Sequence, residues 1–154
     1  MCRKKICLIS SSGGHLEQIR QLKGISERYD CFYVVTRTKA TEAMKQRRYI
    51  VSDLVRKNRA AMLFRMLKMV FEQFIVFFRE RPDIILTTGA AVAIPMCVIG
   101  KIFRKKVIYI ESFARMTMPS KTGLFVYKFA DLFIIQWEEL KKYYPRAVYG
   151  GAIY

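Results

Sequence analysis

Ser10-Ser11-Ser12-Gly13-Gly14-His15-Leu16-Glu17 is the stretch that decides the fold. It follows the apolar run Ile6-Cys7-Leu8-Ile9 and opens a segment with apolar residues at Leu16, Ile19, Leu22 and Ile25. That order is strand, small-residue loop, helix. Glycines let such a loop turn sharply and aim backbone N–H groups at an anion, and the helix N-terminus behind it adds partial positive charge. The loop also carries His15, the only histidine of the chain, to the end of the first strand. Two phosphate-binding motifs are excluded by spacing. There is no Gly-x-Gly-x-x-Gly, and no Gly-Lys-Ser/Thr follows. Taken alone, the loop also fits an ordinary βα turn with a serine helix cap.

Outward from this loop, strands and helices alternate. The first strand covers about 4–10 and the first helix about 14–28. Cys31-Phe32-Tyr33-Val34-Val35 is a second strand, and its unbroken apolar run suits a parallel strand covered on both faces. Residues 36–57 are polar and basic, with a short strand near Tyr49-Ile50-Val51 and a helical turn. Asn58 can cap a long helix that stops before Pro82. Further strands are expected at about 83–88, 106–110, 132–135 and 147–149. The helices between them are expected at about 91–103, begun or broken at Pro95, at 122–130, and in a short piece ending at Tyr144. No repeat or low-complexity segment interrupts the pattern. The expected architecture is one α/β domain over 1–154, a Rossmann-like doubly wound parallel sheet with right-handed crossovers.

In such a sheet ligands bind outside the carboxyl ends of the strands, where the strand order reverses. His15, Thr87-Thr88-Gly89 and Glu111-Ser112 all stand at strand ends, so they are expected to meet in one crevice. A charged Glu111 directly after an apolar strand is either a working group of that crevice or a helix cap or ion-pair partner.

The helix near 58–81 is unusual. Arg65, Lys68, Glu72 and Arg79 form one narrow polar stripe, and nearly everything else is large and apolar, including Phe64, Leu67, Phe71, Phe74 and Phe78. A helix packing on a sheet needs an apolar stripe on one side only. Either this helix is buried between the sheet and a neighbour, or its surplus face enters a bilayer interface or a partner protein.

Composition narrows the classes. The chain has 154 residues with 53% hydrophobic and 14% aromatic content, which suits a folded core rather than disorder. Lys+Arg number 28 against Asp+Glu 12, a formal charge of +16, so an anionic partner is expected. Basic plus apolar suits a membrane surface better than nucleic acid. Cys2, Cys7, Cys31 and Cys97 show no Cys-x-x-Cys spacing, so reduced thiols and no metal site are expected. No signal peptide precedes the first strand, and no run reaches the ~18 apolar residues of a spanning helix.

Ser-Ser-Gly-Gly-His at 11–15, Thr-Thr-Gly-Ala at 87–90, Tyr-Ile-Glu-Ser-Phe-Ala-Arg at 109–115 and Gln-Trp-Glu-Glu at 136–139 occur in the order of a known family. The chain resembles the membrane-associated, acceptor-binding subunit of two-subunit glycosyltransferases. These include the dolichol-pathway UDP-N-acetylglucosamine transferase and bacterial capsule and exopolysaccharide systems. More distantly it is similar to the N-terminal domain of the single-chain GT-B enzyme that makes lipid II. The resemblance implies the N-terminal half of a GT-B fold, with a separate catalytic subunit supplying the UDP-sugar half and transfer only as a complex. It places Ser11, Ser12, Gly13, Gly14 and His15 near sugar and diphosphate, with His15 as base or phosphate contact. Glu111 is the second catalytic candidate, and Thr88, Gly89, Ala90 and Ser112 would line the acceptor side. The long apolar helix and Trp137 would meet membrane or partner. A lipid-pyrophosphate-linked acceptor, an anionic membrane surface and a peripheral location on its cytoplasmic face follow, with no cofactor. The eukaryotic subunit carries an N-terminal anchor, whereas this chain opens directly into its first strand. Attachment is therefore expected from the 58–81 helix or from the partner, as in a bacterial-type system.

Two other classes compete. A basic nucleic-acid-binding α/β domain would lack any helix-turn-helix or RNA-binding signature here. A nicotinamide-dependent enzyme would lack the third glycine, and Thr36-Arg37 stands where its acidic residue should end the second strand.

Overall fold

Alternation of burial along the first strand organises the molecule. In β1 (Lys5–Ser10), Cys7 and Ile9 point to one face of the sheet, and Ile6 and Leu8 to the other. The computed structural model describes residues 3–53 and 59–153. Around β1 pair β2 (Asp30–Thr36), β3 (Arg48–Val51), β4 (Ile84–Thr87), β5 (Lys106–Ile110), β6 (Leu132–Ile135) and β7 (Val148–Tyr149). All pairs are parallel, in the order β3-β2-β1-β4-β5-β6-β7. The order reverses between β1 and β4, as the sequence pattern requires for a doubly wound sheet.

Right-handed crossovers then fix the layers. α1 (Gly14–Gln21) and α2 (Lys23–Arg28) cover one face, where Leu16 and Ile19 pack on Ile6, Leu8, Tyr33 and Val35. The other face carries α4 (Arg59–Glu80), α5 (Ala93–Ile102) and α6 (Lys121–Val126), which follow the short α3 (Lys39–Glu42). There Met69, Val76 and Phe77 of α4 and Met96 and Cys97 of α5 bury Cys7, Ile9, Phe32 and Val34. A 3₁₀ turn at Glu138–Lys142 adds Leu140 to the same core.

Element boundaries depart from expectation in two places. The first helix is two, broken at Leu22 (φ −75°, ψ 50°), which lets both Leu22 and Ile25 reach the second core. Of the two alternatives at Pro95, the helix begins there rather than breaks: Pro95 sits in the first turn of α5, where its missing N–H has no intrahelical partner to lose. α6 ends at Val126, four residues short of expectation. The Asn58 cap lies outside the described residues.

α4 resolves the choice its composition posed. Met69, Gln73, Val76, Phe77 and Glu80 face inward and are buried. Phe64 is 70% exposed, Phe71 64%, and Leu67, Phe74 and Phe78 lie exposed on the same outward stripe. The helix is therefore not sandwiched. Phe78 and Phe103 stack edge to face at 5.0 Å, and Ile102 of α5 extends the apolar surface. Among the described residues no helix is long and apolar enough to cross a membrane.

Candidate functional site

β1 ends on Ser10, and Ile9 pairs with Thr87 of β4, which pairs with Tyr109 of β5. The loops following these three strands therefore open side by side at the reversal point. α1 starts above β1 with Gly13 as its N-cap (φ 92°), a conformation suited to glycine, and no side chain caps it. The alternative of a serine cap is thus set aside, and the first N–H groups of α1 have no side-chain partner. A Cβ built on Gly13 or Gly14 meets no atom within 4 Å, so the space over the turn is open.

The serines before it are less available. The Ser12 N–H donates to Thr36 Oγ1 at 3.0 Å, and Thr36 Oγ1 donates to Ser12 Oγ at 3.2 Å. Ser12 thus holds the loop to the end of β2, and Ser11 is half-buried beside it. Thr36 itself was missed in the sequence, although the strand-end rule that selected Thr88 applies to it equally.

His15 is fixed across the reversal point. Its Nδ1 lies 2.9 Å from the carbonyl oxygen of Thr88. A carbonyl only accepts, so Nδ1 carries the proton and Nε2 keeps the lone pair of a neutral imidazole. Burial lowers its pKa below the ordinary 6.5 and outweighs the stabilising Thr88 carbonyl and Glu111 carboxylate; the Arg115 charge lowers it further. The ring is therefore neutral at pH 7, with one nitrogen ready to accept a proton.

Thr88 was expected to line the acceptor side. It is fully buried instead, and its hydroxyl donates to the His15 carbonyl at 2.9 Å. Gly89 (φ 116°) is buried under the imidazole: a Cβ there would stand 2.9 Å from Tyr109 Oη and 3.2 Å from His15 Cε1. Ala90 is half-buried with φ 71°, a region costly for a non-glycine residue. These residues shape the ring's seat more than they line a cleft.

Glu111 also departs from expectation. Its side chain is 0% exposed. Oε1 accepts from the Ser112 N–H, and Oε2 from the Ser120 N–H, the Ser120 hydroxyl and the Tyr144 hydroxyl. Every one of these partners is a donor, and the carboxylate itself is closed off from solvent. Ser112 is buried and accepts from Gln18 of α1 at 3.4 Å. Gln18, Ser120 and Tyr144 carried no sequence signal of their own.

Trp137 is separate from the α4 surface. It meets the Phe113 ring at a tilt with centroids 4.9 Å apart, and its Nε1 donates to the Phe113 carbonyl at 2.7 Å. It braces the loop after β5 rather than extending the outward apolar stripe. Cys7 and Cys97 are buried, and burial pushes the Cys97 thiol up to about 12, so it packs as a neutral core group. Among the described residues no group of His, Cys, Asp and Glu is arranged to hold a metal ion.

Comparison with known proteins fits this geometry. The human protein named UDP-N-acetylglucosamine transferase subunit ALG14 is 29% identical over 96% of this chain and 82% of its own length. The Candida albicans protein of the same name is 35% identical over 51% of this chain and 39% of its own length. Among solved structures, Acinetobacter baumannii MurG superimposes with a TM-score of 0.71 at 18% identity. It aligns with 88% of this chain but only 42% of its own. The UDP-GlcNAc 2-epimerase of Methanocaldococcus jannaschii gives 0.67 at 14% identity, over 92% of this chain and 42% of its own. The chain thus spans less than half of these solved structures, whose likeness is one of fold, a GT-B-type Rossmann half. The family described as "Oligosaccharide biosynthesis protein Alg14 like" matches residues 6–153, and the chain belongs to it.

Proposed function

We propose that this protein is the acceptor-side subunit of a bipartite UDP-sugar transferase that builds an oligosaccharide or polysaccharide on a lipid-pyrophosphate carrier. The observation that carries the reading is His15, a neutral imidazole locked as the Nδ1–H tautomer at the reversal point beside an open glycine turn. An inverting sugar transfer needs a base for the acceptor hydroxyl, and Nε2 supplies one. A departing diphosphate needs donors, and the uncapped N-terminus of α1 offers them without a metal. The relatives' own name, a UDP-N-acetylglucosamine transferase subunit, supports the split arrangement, with a separate catalytic subunit holding the nucleotide-sugar. The GT-B-like half supports it as well, since such crevices face a second domain.

The outward stripe of α4 suits docking on the cytoplasmic face of an anionic membrane. Aromatic and aliphatic side chains enter the interfacial region while Arg65 and Lys68 beside them meet headgroup phosphates. The same stripe speaks against nucleic acid, which does not require a row of exposed phenylalanines without base-stacking geometry.

The test is sugar transfer from UDP-sugars to a lipid-pyrophosphate acceptor in membranes. This protein, the product of the neighbouring candidate transferase gene, and both together are compared. Activity that arises or rises strongly only with both is the expected result. Full activity from the partner alone, unchanged by this protein, overturns the reading.

A further inference from the structure

Four donors converge on the carboxylate of Glu111: three come from Ser112 and Ser120, at the two ends of the loop after β5, and the fourth is the Tyr144 hydroxyl. Oε1 holds the N–H of Ser112, and Oε2 holds the N–H and hydroxyl of Ser120 at 3.2 and 3.1 Å and the Tyr144 hydroxyl at 2.7 Å. The surrounding bonds orient these donors. Ser120 Oγ accepts from the Gly123 N–H at 2.9 Å and pairs with the Tyr109 hydroxyl at 3.1 Å, which leaves its own proton for Glu111. The Glu111 backbone is held too, its N–H donating to Ile134 and its carbonyl accepting from Gln136 Nε2. A Cβ on Gly123 would stand 2.3 Å from Glu111 Oε2, so the site is closed around the carboxylate. Burial and the neighbouring carboxylate hold the Tyr144 hydroxyl far above its ordinary pKa, so it remains a donor.

The loop that is tied down this way is not core. Phe113, Met116 and Met118 are exposed on it, with Arg115 between them. It leaves the crevice at Ser112, which bonds Gln18 of α1, and leans on Trp137. One cation among three large apolar side chains matches a ligand that joins a phosphate to a hydrocarbon chain.

We propose that Glu111 is a positioning residue: its carboxylate staples the two ends of the 112–119 loop and so presents Phe113, Arg115, Met116 and Met118 to the lipid-linked acceptor. This deepens the transferase reading and rests on it. It assigns Glu111 no proton transfer, because both oxygens are filled by donors and shielded from the crevice. An acceptor-only group is required there, since every partner is a donor. A glutamine would turn an NH₂ toward an N–H or O–H and lose at least one bond.

Two measurements test it, fluorescence on this protein by itself and kinetics in the complex with the catalytic partner. Trp137, the sole tryptophan of this chain, reports the loop directly through its contact with Phe113. Glu111→Gln is expected to raise acrylamide quenching of Trp137 and trypsin cleavage after Arg115 while the far-ultraviolet spectrum is unchanged. It is also expected to raise the KM for the lipid acceptor about tenfold, with kcat within about threefold; any displacement of the acidic limb is toward lower pH, because the His15 ring loses a nearby negative charge. If that variant does not fold, Tyr144→Phe, which removes one donor only, is expected to move quenching and KM in the same direction. A kcat loss of about a hundredfold at unchanged KM would mean that Glu111 handles a proton and would overturn the proposal. Unchanged quenching and unchanged KM would overturn it as well. The fluorescence and proteolysis readings stand even if the complex transfers no sugar, so failure of the transferase reading is seen separately.

Discussion

His15 and Thr88 hold each other. The imidazole Nδ1–H donates to the Thr88 carbonyl and the Thr88 hydroxyl donates to the His15 carbonyl, each at 2.9 Å across 73 residues of sequence. The first bond fixes the tautomer and the second fixes the backbone that carries the ring. Together they clamp α1 to the end of β4 where the strand order reverses. His15→Ala is expected to lower transfer by the complex about a hundredfold or more, the usual cost of losing a general base. Thr88→Val keeps the shape and the carbonyl but removes one bond, so a stability loss of about 1 kcal/mol and a smaller rate loss are expected. A His15→Ala complex active within a few-fold of the parent would remove the ring from the chemistry.

The pH dependence follows from the same pocket. Burial disfavours the imidazolium, so protonating His15 takes more acid than the ordinary value of 6.5. A base is active when unprotonated, so activity should persist as pH falls to 6.5 and fail only below it. The acidic limb of kcat/KM against pH is the measurement, with Arg115→Ala as a second arm. That substitution removes a charge that depresses the ring and should move the limb upward. A limb centred above 6.5 would contradict the assignment.

At the opposite end of the sheet Glu80 sets the acid stability. Its buried carboxylate accepts from Lys5 Nζ at 3.2 Å and from Arg47 and Tyr49. Burial pushes its pKa up, but the hydrogen bonds from Tyr49, Arg47 and Lys5 outweigh that, so the folded value lies below the ordinary 4.5. Stability from this group is therefore present above pH 4.5 and lost as pH falls through the folded value. Glu80→Gln should flatten the decline of the urea midpoint below that pH and lower the midpoint at pH 7. Parallel curves for the two proteins would show that the network contributes nothing specific.

The fold was legible because its signals are periodic. Apolar runs of three to five residues, each ending in small or polar residues, marked β1, β2, β4, β5 and β6 to within a residue or two. His15 was legible because the strand-end rule depends on topology alone. The surroundings of Glu111 were not legible for a physical reason: a carboxylate after an apolar strand has the same sequence whether it faces a cleft or four donors, and three of those donors come from Ser120 and Tyr144, outside the strand-end motif. The side-chain direction of Thr88 was likewise not legible from its place at the strand end. Its hydroxyl points back to the His15 backbone, a direction set by the αL-like turn at Gly89 and Ala90. The exposure of α4 depended on which helices flank it, which composition does not encode.

Gly100 tests how closely α5 must approach the sheet. A Cβ there would lie 2.0 Å from Ile85 Cδ1, inside the core that β4 and α5 share. Helix propensity favours alanine over glycine by about 1 kcal/mol, so an open position would gain from Gly100→Ala. Here overpacking should win, at about 1–3 kcal/mol, because Ile85 is fully buried and has little room to turn. Chemical denaturation should show a lower midpoint with unchanged slope; a raised midpoint would mean that Ile85 repacks freely.

The outward face of α4 makes the last prediction, and it separates membrane docking from folding. Phe64 and Phe71 are 70% and 64% exposed, so they contribute little to the core and much to any interface they enter. Burying one such ring stabilises association by about 1.5–3 kcal/mol. Replacing both with serine should therefore weaken binding to anionic vesicles by roughly two to four orders of magnitude. Thermal stability should hold or rise, since no buried contact is lost. Charge supplies a second axis. Binding to vesicles of neutral lipid should be weaker than to anionic ones, and high salt should erase the difference, because Arg65 and Lys68 act through screened headgroup attraction. Retained vesicle binding in the double variant would assign the stripe to a protein partner. Loss of complex formation without lipid would then be the matching observation.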